Sequence, residues 1–202
     1  MSLHTEGEIV LVRHGETEWS RTGRHTGRTD RPLTERGREQ ARRLAPLLPA
    51  GDFALVLSSP LQRARQTAEL AGLGQRLQIE PDLAEWDYGG FEGLTSDEIE
   101  AQVPGWSLFS DGCPGGESPE QVGERVDRVL ARLRPVLHVE PPRAAVFAHG
   151  HVLRVLAARW IGLPPAGGRL LLLVTSTLSV LGHYRGAPAL KRWNAPVEGL
   201  SQ

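Results

Sequence analysis

Apolar residues in this chain fall into short runs that alternate with longer stretches of helical spacing. Ile9-Val10-Leu11-Val12 is apolar and largely β-branched, which predicts a strand buried on both faces, and it ends directly on Arg13-His14-Gly15. A second such run, Phe53 to Leu57, leads into Ser58-Ser59-Pro60. A third, AAVFA within Arg143 to Ala148, leads into His149-Gly150-His151. Between them the spacing turns helical. Thr34 can cap a helix from Glu35 to Leu48, with Ala41, Leu44, Leu47 and Leu48 on one face and arginines on the other. Ser58-Ser59-Pro60 offers a cap and a first-turn proline to a helix from Leu61 to about Leu70. A longer helix is predicted from Pro119 to His138, burying Val122, Val126, Val129, Leu130 and Leu133, with Pro135 placed to kink or end it. Another is predicted from Val152 to Ile161, and the remaining strands fall in Leu171 to Tyr184 and Ala189 to Trp193.

Repeated strand-then-helix units predict the α/β class: a mainly parallel sheet covered by helices on both faces, a three-layer α/β/α sandwich. Ligands of such sheets bind beyond the carboxyl ends of the strands. That edge would carry Arg13 and His14, Ser58 and Ser59 with Arg63 close behind, and His149. No repeat or linker-like segment interrupts the pattern, so residues 1–202 are expected to form a single domain, with 1–7 as a flexible tail.

Composition narrows the function. Lys+Arg 23 against Asp+Glu 24 gives a formal net charge of -1, so no global field draws the protein to nucleic acid or to an anionic membrane. Any anion site must be local. The lone Cys113 excludes an intramolecular disulfide framework and a cysteine-rich zinc site, and it suits a reducing compartment. MSLHTEGE has neither the basic start nor the apolar run of a secretory signal. The most apolar stretch, Leu170 to Gly182, is interrupted by Thr175, Ser176, Thr177 and Ser179 and falls short of the roughly 20 residues of a membrane helix. A soluble cytoplasmic protein is expected.

Gathered at one edge, Arg13 and Arg63 would supply two planar, permanently charged forks that match phosphate oxygens. An imidazole between them, His14, can attack phosphorus if it is neutral, and both guanidiniums lower its pKa from the ordinary value of about 6.5. A carboxyl at the rim can protonate the leaving oxygen and then deprotonate the attacking water. Glu85, followed by Trp86, is the candidate, with Asp82 and Asp87 as neighbouring rivals. Burial beside Trp86 favours the acid and the arginines favour the carboxylate, and the two effects oppose each other.

LVRHGETEW, TGRTDRPLTERGREQA, SSPLQRARQTA, EWDYGGFEG and VFAHGHVLR, in this order over residues 9 to 154, resemble the histidine phosphatase, or phosphoglycerate mutase-like, superfamily. The resemblance implies a phosphohistidine mechanism with His14 as nucleophile, Arg13, Arg63 and His149 as phosphate pocket and Glu85 as proton donor, with no metal or organic cofactor. It further implies that Glu16, Ser20, His25, Thr26 and Gly27 line the substrate side. Ser20 departs from the pattern, because many members carry asparagine there. HTGRTDRPLT, WDYGGFEG, WSLFSDGCPGGES and FAHGHVLRVLAARWIGLP are most similar to the sedoheptulose-1,7-bisphosphatase-like branch. The stretch from Glu85 to His149 is also shorter than in the classical mutases, which implies a more open pocket. Hydrolysis of small phosphorylated metabolites, sugar phosphates or bisphosphates among them, is therefore expected.

A cofactor-dependent mutase and a catalytically silent phospholigand-binding protein are the alternatives, and a homodimer is compatible with either. Simpler readings stand beside several residues. His14 could cap a strand without chemistry, and Arg63 could be one more surface arginine of its helix. His149 and His151 lack the third ligand of a recognisable metal motif. Trp106, Trp160 and Trp193 read as core rather than as cofactor platforms. Cys113 lies in a Gly/Pro loop and is assigned no role.

Overall fold

A computed structural model describes residues 7–197. Its centre is a six-stranded sheet built from β1 (Glu8–Arg13), β2 (Leu55–Ser58), β3 (Leu77–Ile79), β4 (Arg143–Ala148), β5 (Thr177–Tyr184) and β6 (Ala187–Pro196). The spatial order is β3-β2-β4-β1-β5-β6. The first four strands in that order run parallel, whereas β5 is antiparallel to β1 and β6 to β5. Arg185 and Gly186, with φ of 51° and 80°, form the two-residue turn of this last hairpin.

The helices are α1 (Glu18–Arg21), α2 (Glu35–Arg42), α3 (Gln62–Leu70), α4 (Ser96–Gln102), α5 (Leu108–Asp111), α6 (Pro119–Leu133) and α7 (Gly150–Trp160). Alternation along the strands splits the core in two. Ile9, Leu11, Leu57, Ala144 and Val146 face α6 and α7, while Val10, Val12, Val56, Ala145 and Phe147 face α3 and the turns after α2. Both faces of the sheet are covered, as the three-layer α/β/α expectation required.

Most expected boundaries shift by a few residues, and the three largest shifts have a physical reason. The helix expected over Glu35 to Leu48 stops at Arg42, and Ala45–Leu47 forms a 3-10 turn containing Pro46, whose missing N–H cannot continue the ladder. Leu44 and Leu48 are buried nonetheless. The helix expected from Pro119 to His138 ends at Leu133 and tightens into a 3-10 turn at Arg134–His138, around Pro135. The strand expected from Leu171 begins only at Thr177, because Leu171–Ser176 is used at the site described below. Gly7 is buried, and a Cβ there would meet Leu137 at 2.6 Å, so the expected tail does not reach it; residues 1–6 lie outside the described residues. Among the described residues, no helix is long and apolar enough to cross a membrane.

Candidate active site

Beyond the carboxyl ends of β1 and β4 lies a cleft of ≈190 Å³. Arg13, His14, Glu85 and Gly150 line it together with Ser20, His25, Thr26, Tyr88, His151, Arg154 and Leu173.

The backbone holds His14 first. Its N–H donates to Ala148 O, one step past the β1–β4 ladder (3.0 Å). The next N–H, of Gly15, donates to Thr67 Oγ1 of α3 (3.0 Å). A Cβ on Gly15 would sit 2.4 Å from Gly37 O, so the loop can lie against α2 only because glycine occupies this position. On the other side, Ser176 N–H donates to Arg13 O and His14 O (3.1 and 3.2 Å), and Ser176 adopts φ 55° to do so.

Hydrogen bonding then settles the tautomer of His14. Nδ1 lies 2.7 Å from Gly15 O, a carbonyl that can only accept, so Nδ1 carries the hydrogen and Nε2 keeps its lone pair. Burial, then Arg63, then Arg13 hold the imidazole well below its ordinary pKa of 6.5. His14 is therefore neutral around pH 7.

Arg13 is anchored at one corner only, where Nη1 donates to Leu173 O (2.5 Å). Its Nε is buried with no partner. The Nε–Nη2 edge passes Gly150, where a Cβ would approach Cζ to 3.2 Å and Nη2 to 3.5 Å. With Nη2 unpartnered among the described residues, the Arg13 guanidinium can meet a phosphate oxygen in the cleft it shares with the unprotonated imidazole of His14.

Arg63, from the first turn of α3, is fully buried. Nη1 donates to Thr29 O (3.0 Å) and Nη2 to Thr26 O and Gly27 O (2.8 and 3.1 Å). Nε donates to His149 Nδ1 (3.1 Å). Nδ1 of His149 is therefore an acceptor, and its Nε2–H donates to Ser59 Oγ (2.7 Å). Burial, then Arg63, then His14 keep His149 well below the ordinary histidine range, and its ring lies 5.1 Å from that of His14.

Glu85 is placed by the N-terminus of α7. Oε2 accepts from His151 N–H (3.0 Å), and Oε1 accepts from Val152 N–H and Trp86 N–H (both 2.9 Å). The carboxylate thus serves the orphan donors of that helix, for which His149 at the N-cap provides no side-chain bond. Oε2 has one protein donor where Oε1 has two, which leaves Oε2 the freer oxygen of a residue that lines the cleft.

The residues expected on the substrate side divide. Ser20, His25 and Thr26 line the cleft. Ser20 also completes a capping box with Thr17 at α1. Gly27 is not on the cleft wall: its N–H donates to both Glu92 oxygens (3.0 Å) and its carbonyl receives Arg63. Glu16 turns to α2, accepting from Thr34 Oγ1 (2.9 Å) beside Arg36. Neither residue is among those lining the cleft, nor are Arg63 and His149, which the resemblance assigned to the phosphate pocket: both are fully buried, with their nitrogens on protein partners behind the wall.

Sequence reasoning missed Ser59 as the acceptor for His149, Glu92 as the clamp on the Gly27 loop, and the cleft residues Tyr88, His151 and Arg154. Tyr88 and His151 stood inside the EWDYG and HGH motifs, three and two residues from Glu85 and His149, which was the available signal. Trp160 is buried as expected, while Trp106 and Trp193 are partly buried against the core. Trp106 also packs edge-on against His25 at 5.7 Å. The Cys113 thiol is buried and pushed up to about 12.

Comparison with known proteins gives the family. The family model of the histidine phosphatase superfamily (branch 1) matches residues 9–196. The acid phosphatase of Mycobacterium tuberculosis is 40% identical over 186 residues, 90% of this chain and 89% of that protein. The sedoheptulose 1,7-bisphosphatase of Saccharomyces cerevisiae is 37% identical over 183 residues, 76% of this chain and 67% of that protein. A solved structure of a Mycobacterium tuberculosis open reading frame superposes with a TM-score of 0.88 at 37% identity, covering 95% of this chain and 99% of that one. With the family model matched over nearly the whole chain and with phosphatases among its relatives, the chain belongs to the histidine phosphatase superfamily, branch 1, and is a phosphatase.

Proposed function

We propose that the chain hydrolyses phosphomonoesters of small metabolites, sugar phosphates and bisphosphates among them, through a phosphoryl group carried on His14 Nε2. The observation that carries the reading is the fixed tautomer of His14, whose Nε2 lone pair shares the cleft with Arg13, where Nη2 has no protein partner among the described residues.

In the first step Nε2 forms a bond to phosphorus while the bond from phosphorus to the ester oxygen breaks. Nδ1–H stays on Gly15 O, which offsets the positive charge growing on the ring. Arg13 binds the phosphoryl oxygens from the cleft wall, and the buried charge of Arg63, held by protein acceptors behind that wall, stabilises the charge that redistributes in the transition state. His149 acts through Arg63: with one nitrogen on Arg63 and the other on Ser59, it locks that guanidinium in place. Glu85 delivers a proton from Oε2 to the leaving alkoxide, then takes one from the water that attacks the phosphohistidine. Phosphate leaves and His14 returns to its neutral tautomer, so protons balance over the cycle.

Two observations support a sugar phosphate. One relative is named for sedoheptulose bisphosphate hydrolysis. Arg154, held on the cleft wall by Gly168 O and Arg169 O and stacked on Phe109 at 4.5 Å, supplies a third cation suited to a second phosphate. The single buried thiol suits a cytoplasmic setting.

Phosphate release from a panel of phosphorylated metabolites tests the reading, with sedoheptulose and fructose bisphosphates set against 3-phosphoglycerate. Release from the bisphosphates without added metal is expected. Isomerised phosphoglycerate with no free phosphate would assign a mutase instead.

A further inference from the structure

Part of the cleft wall is aromatic, with Arg154 stacked on Phe109. His151 Nδ1 lies 2.5 Å from the Tyr88 hydroxyl. The ring of His25 stacks on that of His151, with centroids 5.9 Å apart and an interplanar angle of 16°. Phe109 and Trp106 close the edges of this stack. Tyr88 is buried, and its hydroxyl has no other hydrogen-bond partner among the described residues. Nδ1 of His151 is therefore the protein acceptor within reach of the phenolic hydrogen, and accepting it places the ring hydrogen on Nε2. The neighbour has the opposite polarity. Nδ1 of His25 lies 2.9 Å from Leu94 O, a carbonyl, so Nδ1 is the donor, which in an unprotonated imidazole puts the lone pair on Nε2. Neither Nε2 atom is bonded to protein or buried without a partner among the described residues, and both rings line the cleft.

We propose that His151, fixed in one tautomer by Tyr88, donates its Nε2–H to a hydroxyl oxygen of the leaving group, while His25 Nε2 accepts from a hydroxyl of the same group, so the pair selects polyol phosphates over plain alkyl phosphates of equal size. This deepens the phosphatase reading and rests on it. A hydroxyl both donates and accepts, whereas a methylene placed there leaves a desolvated donor and a desolvated acceptor unpaired. Burial, then Arg154, then His25 keep His151 well below the ordinary histidine range, and burial raises the Tyr88 phenol well above 10. Both groups thus stay neutral at working pH, as this hydrogen-bond polarity requires. Tyr88 is in this account a positioning residue and His151 the contact.

The test compares kcat/KM for glycerol 1-phosphate and n-propyl phosphate within each enzyme, so that general damage cancels in the ratio. The wild type should favour the glycerol ester by roughly tenfold or more. His151→Leu should bring the ratio near unity, His151→Gln should retain most of it through its own side-chain N–H, and Tyr88→Phe should fall between. Imidazole nitrogen NMR of the wild type should show His151 protonated on Nε2 and bare on Nδ1, a readout independent of turnover. Equal kcat/KM for the two esters in the wild type, an unchanged ratio in His151→Leu, or a ring protonated on Nδ1 overturns the proposal. A larger loss in Tyr88→Phe than in His151→Leu moves the donor to the phenol and also overturns it. Turnover of neither ester removes the phosphatase reading, and this one with it.

Discussion

Replacing Gly150 with alanine should separate stability from phosphate binding. The added Cβ would lie 3.2 Å from Arg13 Cζ, 3.4 Å from Nε and 3.5 Å from Nη2. A contact of 3.2 Å is relieved by a few tenths of an ångström if the neighbour can yield. Arg13 can yield by that much, because among the described residues its guanidinium is tied only through Nη1, to Leu173 O. Alanine itself suits the first turn of α7, where glycine is the poorer helix former by about 1 kcal/mol. Thermal stability should therefore hold or rise slightly. The guanidinium edge, however, is pushed from the position where it meets the phosphoryl oxygens. A charge-assisted hydrogen bond contributes about 1.5–3 kcal/mol, so kcat/KM for an aryl phosphate should fall by about 10- to 100-fold. Competitive inhibition by inorganic phosphate should weaken by a similar factor. A variant that melts at or above the wild type yet keeps wild-type kcat/KM and phosphate inhibition would refute the placement of that edge on the phosphate.

Further outcomes follow from the buried network. Ser59→Ala removes the acceptor of His149 Nε2–H in a fully buried position, at a cost of about 1–3 kcal/mol in stability. It should also lower kcat, because the alternative tautomer would place Nδ1–H against Arg63 Nε–H; thermal melts and steady-state kinetics that both match the wild type would contradict this. The pKa values of His14, His149 and His151 are all depressed in the fold. Between the unfolded value of about 6.5 and their folded values, the unfolded chain binds more protons, so stability is full above about pH 6.5 and is lost as pH falls through that window. Melting temperature should drop from about pH 7 to about pH 5, and a flat profile would count against neutral buried imidazoles. The acid limb of kcat/KM should likewise lie below about pH 6.5, since protonation removes the His14 lone pair.

The strands that carry the chemistry were readable because each is a compact apolar run ending on polar residues. Arg143–Ala148 matches its predicted bounds, and β1 differs by one residue at each end. The conspicuous residues of the site were readable too, since arginine and histidine at strand ends need a reason to be there. What stayed hidden depends on partners distant in the chain. The first turn of α3 is served by Asp30 Oδ1 accepting from Gln62 N–H (2.9 Å), while Ser59 Oγ, the expected cap, is shared between Leu61 N–H (3.2 Å) and His149. The glycine of TERG marks no turn: it lies inside α2, where a Cβ would overlap Glu16 O at 2.1 Å. Leu171 to Ser176 is apolar enough for a strand, yet Leu173 O is needed by Arg13, and Ser176 turns left-handed to bond the backbone of Arg13 and His14. β3 has three residues, two of them exposed, too few for any alternation to register.

The central claim is that phosphorus is transferred to one nitrogen of His14. Rapid quenching during turnover of an aryl phosphate, followed by digestion above neutral pH and mass spectrometry, reads this directly. The account predicts an acid-labile phosphoryl group on His14, lost together with turnover in His14→Ala. Undiminished turnover by that variant, or a phosphoryl group found on another side chain, would contradict it.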